Sequence, residues 1–476
     1  MRKGLYDTQM TEEIEPSQLF VPARCRLSPG EEAHYPSFTA RCSRFYQNCA
    51  VRAGKTNDPR VGSLDNVSIR GVMHTHKAAI CADTFYPPIG EWDVRGVDDM
   101  SELFKDWGEF NQPIDRWDTS NVTTMRGMFF RAWAFNQPIG TWRVGLVADM
   151  TRMFQEAAAF NQPIGTWDTS HVTRMTAMFR YATVFNQQIG TWDTSQVTDM
   201  ADMFAMAAGF NQPIGSWDTS HVTSMAAMFR SAAVFNQPIG TWRVERVVYM
   251  GEMFRDATAF NQPLESWVTS RVTSMRAMFR EATVFNQPIG TWDTSQVTDM
   301  ADMFGMATGF NQPIDTWQVG RVEDMTRMFN EAAAFNRPIG TWDTSHVTSM
   351  RAMFRYATAF NQNISGWVTT SVTDMSEMLR GARMYNNGGS PLALDTSSVK
   401  SMDDMLHDAS SFKLKANFVS MQRVESLTDM FAGCPAAAGV TSLVNPGAIG
   451  LRDQQGRIQA GSVTRKRARD AASGLL

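Results

Sequence analysis

The chain has 476 residues, of which 43% are hydrophobic and 19% are charged, and its formal net charge is −4. This composition allows a packed core and excludes a disordered chain of low hydrophobicity. The small negative charge excludes the broadly basic surface that nucleic-acid binding requires, so nucleic acid is not an expected partner.

Residues 1–84 contain no repeat, and we predict a weakly structured region over 1–59 and an N-terminal cap over 60–84. A cap is expected because the terminal coil of an open stack needs a polar cover. Arg2 and Lys3 are not followed by an apolar stretch, so no secretory signal is predicted. No apolar run approaches the ~20 residues needed to cross a bilayer. The default expectation is a cytoplasmic protein with reduced thiols.

Cysteine and histidine side chains are concentrated ahead of the repeats. A zinc site would use such residues, but the five cysteines of the chain include no C-x-x-C pair, and core or capping roles are favoured. We therefore predict no metal and no other cofactor. The residues concerned are Cys25, Cys42, Cys49, His74, His76 and Cys81.

From residue 85 to 436 the sequence repeats every 25 residues, which gives about 14 units. The unit reads F-N-Q-P-I-G-T-W-D-T-S-x-V-T-x-M-x-x-M-F-x-x-A-x-x, and its residues are numbered here from position 1 (Phe) to position 25. One such unit cannot bury its apolar face alone, whereas stacked units complete a common core. The pattern therefore predicts a solenoid.

The second half of the unit predicts a helix, because positions 13, 16, 19, 20 and 23 form one apolar stripe. A short strand is predicted from Ile164 to Trp167, since the proline at position 4 cannot donate to a ladder. The predicted fold class is an α/β repeat solenoid with one strand and one helix per coil. Strands stack more closely than helices, so we expect strands on the concave side and helices on the convex side.

The run 89–104 and the repeated FNQPIGTWDTSxVTxMxxMF resemble the BspA-like leucine-rich-repeat family. The resemblance covers about three quarters of the chain, and many positions recur in fixed register. It implies a leucine-rich-repeat fold, display on a cell or virion surface, and binding of proteins or cells.

Two apolar columns run along the array. The Met column, which includes Met175 and Met178, is interpreted as core rather than as a soft-metal or haem site. The Trp column runs from Trp92 to Trp367 and leaves two alternatives. Either a bulge turns the indoles inward at a corner, which is favoured, or they form an exposed row suited to stacking on carbohydrate or peptide.

Three polar columns have structural interpretations. Asn at position 2, as in Asn111, predicts an amide ladder. Asp at position 9, as in Asp168, is interpreted as a helix cap rather than a catalytic carboxylate or a calcium ligand. Thr at position 7, as in Thr166, reflects strand propensity rather than ice binding.

Position 12 varies freely between units, which indicates a solvent-facing column, and we predict that it forms the binding surface. Its two nearest histidines lie two units apart, roughly 10 Å by strand spacing, which is too far to share a metal ion. The predicted binding residues are Asn121, His171, Gln196, His221, Arg246, Arg271, Gln296, Arg321 and His346.

Residues 437–476 are predicted to form a flexible tail with a basic run at 465–469. A solvated tail is favoured over nuclear import or contact with acidic partners. No phosphate-binding, nucleophile-elbow or metalloprotease motif occurs, so we predict a protein that is not an enzyme. The favoured function is an interaction scaffold for a protein partner, with glycan as the other partner class. The alternative is a self-associating structural or coat component, and an enzyme on a solenoid ranks third.

Overall fold

The computed structural model describes residues 56–57, 64–81, 85–86, 88–414 and 416–435. Almost all of the predicted region 1–59, the whole predicted tail 437–476 and three of the cysteines (Cys25, Cys42 and Cys49) lie outside the described residues. The interpretations of these parts stay predictions.

The regular elements lie at the two ends of the described chain. At the N-terminal end, β1 (Thr56–Asn57) pairs in parallel with β2 (Phe85–Tyr86), and α1 (Asn66–Cys81) lies between them in sequence. A 3₁₀-helix spans Ile89–Glu91 and another spans Asn387–Gly389. Near the C-terminal end, β3 (Leu392–Asp395) pairs in parallel with β4 (Ala416–Val419).

Helix α1 covers the first coil of the array. Its apolar residues, such as Ile69 and Val72, are buried in the common core. Arg70 donates to the carbonyls of Asp99 and Ser101, and Lys77 donates to the carbonyl of Asp106. These side chains thus satisfy backbone acceptors on the face of the first coil that has no preceding coil.

Between the two ends, coils stack in register through single parallel bridges at position 15. The bridges join fourteen residues, from Asp99 and Thr124 through to Ser401 and Ser426. The predicted strand from Ile164 to Trp167 is wrong. The N–H of Trp167 donates to the carbonyl of Ile164 at 3.2 Å, so this segment closes a tight turn. Strands appear in the corresponding region only in the last two coils, as β3 and β4.

The predicted helix is also wrong, and a ribbon of overlapping β-turns takes its place. In the unit 160–184, the N–H of Met178 donates to the carbonyl of Met175 at 3.1 Å and closes one β-turn. The N–H of Arg180 donates to the carbonyl of Ala177 at 3.2 Å and closes the next. The alternate N–H groups, including those of Ala177 and Phe179, donate to carbonyls of the next coil at 2.8 and 2.9 Å. Hydrogen bonds between coils therefore replace the i to i−4 bonds of a helix.

This ribbon needs left-handed backbone at positions 18 and 22 of the unit. Ala177 and Tyr181 have φ values of 55° and 60°, and equivalent residues in other coils behave alike. A residue other than glycine in this left-handed conformation destabilises the fold by about 1–2 kcal/mol. Four inter-coil hydrogen bonds per coil, at about 0.5–1.5 kcal/mol each, offset that cost.

The core is built from columns of stacked aromatic rings. The ring centroids of Phe179, at position 20, and Phe185, at position 1 of the next unit, lie 3.9 Å apart. Between coils, the rings at position 20 are 5.3–5.8 Å apart, whereas the indoles at position 8 are 6.1–6.5 Å apart. Unequal spacing means that successive coils are rotated as well as translated. The predicted division into concave strands and convex helices is wrong, because neither layer forms in the central coils.

The tryptophan column lies in the buried corner. Trp192 is 3% exposed, and its Nε1 donates to the carbonyl of Ile164 in the preceding coil at 3.0 Å. Equivalent bonds of 2.8–3.2 Å recur from Trp117 to Trp367. Each indole thus joins two coils and satisfies a buried carbonyl, so no exposed aromatic row exists in the described array.

The asparagine ladder forms as predicted. Oδ1 of Asn161 accepts from the N–H of Asn186 at 2.9 Å, and Nε2 of Gln187 donates to the carbonyl of Asn161 at 3.0 Å. The threonine hydroxyls at position 7 are also directed at backbone. Thr191 donates to the carbonyl of Gly165 at 2.7 Å.

Candidate binding surface

The column at position 12 lies on the solvent side of a tight turn. In the coil of His171, the turn closes between the N–H of Val172 and the carbonyl of Thr169 at 2.9 Å. Eight of the nine predicted binding residues are exposed, and Gln296 is half-buried. The structure therefore places side chains of differing chemistry on a backbone that hardly changes from coil to coil.

The aspartates at position 9 shape this turn, although they cap no helix. Oδ1 of Asp168 accepts from the N–H and the hydroxyl of Ser170, at 3.2 and 2.7 Å. These bonds lower the pKa of Asp168 below its usual value, and the nearby His171 contributes to the same shift. Helix capping is corrected to turn capping, because the segment that follows is the turn ribbon.

Contacts along the column are few. Arg321 donates to Oε1 of Gln296 in the preceding coil at 2.8 Å, and Asn121 donates to the carbonyl of Arg95 at 2.9 Å. His171 contacts the hydroxyl of its neighbour Ser170 at 3.3 Å. Within the described parts of the chain, no group of three or more His, Cys, Asp or Glu side chains is placed to hold a metal ion.

The arginines at position 21 form networks that the sequence pattern did not reveal. On the back of a helix such side chains would be solvated, but Arg230 and Arg380 are largely covered and link successive coils. Arg230 pairs with Glu252 at 3.1 Å, and Arg380 pairs with Asp404 at 2.8 Å. The helix prediction placed these side chains on an outer face, whereas the turn ribbon lays them across neighbouring coils.

A family of repeat proteins matches most of the chain. Its description reads "Mycoplasma protein of unknown function, DUF285", and it matches residues 73–190, 159–267, 250–344 and 337–442. The chain belongs to this family. The relation to BspA-like repeats, with the surface display that it implies, stays a prediction. No curated protein matches the chain.

Two leucine-rich-repeat proteins are among the solved structures that match. The crystal structure of a TLR13–ssRNA13 complex is 8% identical, with a TM-score of 0.18, over 72% of this chain and 57% of that one. An internalin, inlF from Listeria monocytogenes, is 9% identical, with a TM-score of 0.15, over 64% of this chain and 83% of that one. This chain thus spans little more than half of the TLR13 chain.

No helix in the described ranges is long and apolar enough to cross a membrane.

Proposed function

We propose that this DUF285 protein is a non-enzymatic interaction scaffold whose position-12 column contacts a protein partner. The observation that supports the proposal is the contrast between an invariant stacked backbone and one exposed column of changing chemistry. From Asn121 to His346 the column extends ~43 Å by strand spacing, which is long enough for a protein interface. Exposed polar residues that do not serve the core are the ones expected to carry recognition.

The proposal is tested by probing the full chain on protein and glycan arrays. A triple variant, His171→Ser, Gln196→Ser and His221→Ser, alters the column in three consecutive coils. A control triple, Val184→Ser, Val234→Ser and Val284→Ser, alters side chains that are 45–48% exposed at position 25.

We expect array binding to weaken about tenfold in the column variant and to stay within about twofold in the control, since interface contacts act locally. Equal binding by the wild type and the column variant would contradict the proposal. If light scattering shows a molar mass that rises with protein concentration, and the arrays show no binding, the self-associating alternative is favoured instead.

A further inference from the structure

The aspartate column at position 9 is interrupted in the middle of the array. Asp218 and Asp293 occupy the position on either side, but the two coils between them carry Arg243 and Val268. Arg243 keeps 66% of its side chain exposed, and Val268 is 50% exposed. Single coils also lack the carboxylate, at Arg143, Gln318 and Val368, but only here do two consecutive coils of the 25-residue array lack it.

The interruption coincides with two arginines at position 12, Arg246 and Arg271. In other coils the position-9 carboxylate lies close to the position-12 side chain, since one serine joins them: the hydroxyl of Ser170 donates to Asp168 at 2.7 Å and contacts His171 at 3.3 Å. Arg246 and Arg271 have no such neighbour.

Neither Arg246 nor Arg271 forms a hydrogen bond or ion pair among the residues that the structure describes. They lie in consecutive coils, ~5 Å apart along the array by strand spacing. Two adjacent unpaired cations on a chain of net charge −4 form a local positive potential that the rest of the column lacks.

A cleft of about 470 Å³ lies on the same two coils, and its lining ends at Glu245, the residue before Arg246, and at Val268, three residues before Arg271. Pro238, Trp242 and Pro263 form part of its wall, and Arg243 and Val268 line it as well. The only carboxylate in its lining belongs to Glu245, which lies 3.8 Å from Arg243. Arg243 and Glu245 balance within the lining, so the excess positive charge on these two coils comes from Arg246 and Arg271, next to the apolar wall in sequence.

We propose that this cleft binds an extended acidic peptide segment of a partner protein, with an apolar side chain against Val268 and carboxylates on Arg243, Arg246 and Arg271. The inference rests on the proposed scaffold function and assigns its partner class. Arginine presents a planar fork that suits carboxylates, and a small apolar wall provides the anchor that charge alone does not.

The test uses the full chain and a fluorescent peptide of alternating Glu and Leu, with a Lys–Leu peptide and heparin as other probes. The triple variant Arg243→Gln, Arg246→Gln and Arg271→Gln removes the patch. A charge-matched control triple, Arg126→Gln, Arg174→Gln and Arg351→Gln, changes exposed arginines in other columns. The variant Val268→Asp restores the residue that position 9 carries in the flanking coils.

We expect the Glu–Leu peptide to bind, and its affinity to fall about tenfold in the patch variant and less than about twofold in the control. Val268→Asp should weaken binding several-fold, and raising the salt should weaken it further. Equal losses in the two triple variants would overturn the inference, because net charge alone would then explain binding. Binding of heparin without binding of the peptide would also overturn it.

The failure of this inference differs from failure of the scaffold function. If array binding depends on His171, Gln196 and His221 but not on the arginine patch, the scaffold stands and the acidic partner is wrong. If no column variant alters array binding, the scaffold itself is wrong.

Discussion

At the scale of single residues, most side chains of the unit serve the neighbouring coil as well as their own. The indole of Trp192 donates to Ile164, and the amide of Asn161 accepts from Asn186. The hydroxyl of Thr169 donates to the carbonyl of Asp193 at 2.9 Å. The same residue types recur at fixed positions because every coil must complete the same backbone hydrogen bonds.

Replacing one indole tests this role. Trp192→Phe should lower the free energy of unfolding by about 1–3 kcal/mol, since it removes a buried hydrogen bond between coils and leaves a small void, while the Ile164 carbonyl keeps the N–H of Trp167. Thr191→Val removes the hydroxyl that donates to the carbonyl of Gly165 in the same preceding coil, but this site is exposed. That change should cost less than about 1 kcal/mol in urea unfolding. Similar losses in both variants would show that burial is not the cause.

At the scale of the element, the sequence predicted the buried positions but not the backbone that carries them. Val172, Met175, Met178, Phe179 and Ala182 are all buried, as the stripe predicts. Steps of three and four residues fit a helix, yet steps of three also fit successive β-turns, so the spacing alone cannot decide.

The deciding positions, 18 and 22, carry a weak sequence signal. Glycine, which would reveal left-handed backbone, stands there only at Gly127, Gly381 and Gly433 within the described residues. Asp, Glu, Ala, Arg, Met, Ser and Tyr fill the other coils, and Ala, Glu, Arg and Met among them are good helix formers. For the binding surface, the sequence variation at position 12 predicted an exposed column. The missing carboxylates at Arg243 and Val268 gained a meaning only from the structure, which places position 9 next to position 12.

Glycine substitution distinguishes the ribbon from a helix. Arg152 has φ of 60° and is exposed, and Gly127 holds the equivalent place one coil earlier. Arg152→Gly should therefore leave the free energy of unfolding unchanged or raise it by up to about 1 kcal/mol. In a helix the same change would lower it by about 1 kcal/mol.

The matched control is the preceding residue, Thr151, which lies outside the left-handed region. Thr151→Gly should lower the free energy of unfolding by about 1 kcal/mol, through the extra entropy of the unfolded chain. The urea midpoint should fall for Thr151→Gly and stay the same or rise for Arg152→Gly, whereas a fall in both variants would favour a helix.

At the scale of the whole molecule, the array is a stack in which each coil contacts chiefly its two neighbours, although Arg276 also reaches Asp324 two coils away at 3.8 Å. The bridges at position 15 join only adjacent coils, from Asp99 to Ser426. Helix α1 ends the stack on one side, where Arg70 and Lys77 cover carbonyls. In such an architecture stability is close to a sum over coils and the interfaces between them.

This additivity predicts that one coil can be removed cleanly. Deleting residues 185–209 joins Val184 to Phe210 and restores every column in register, with Asn211 now donating to Asn161 in place of Asn186. The shortened chain should keep its circular dichroism spectrum per residue, and its length in X-ray scattering should fall by ~5 Å. Deleting only residues 185–196 places position 13 after position 25, so Phe, Ile and Trp are lost from their columns. That chain should lose its cooperative unfolding transition. Equal tolerance of the two deletions would mean that the coils do not depend on register, and the stacked columns would not then be what holds the molecule together.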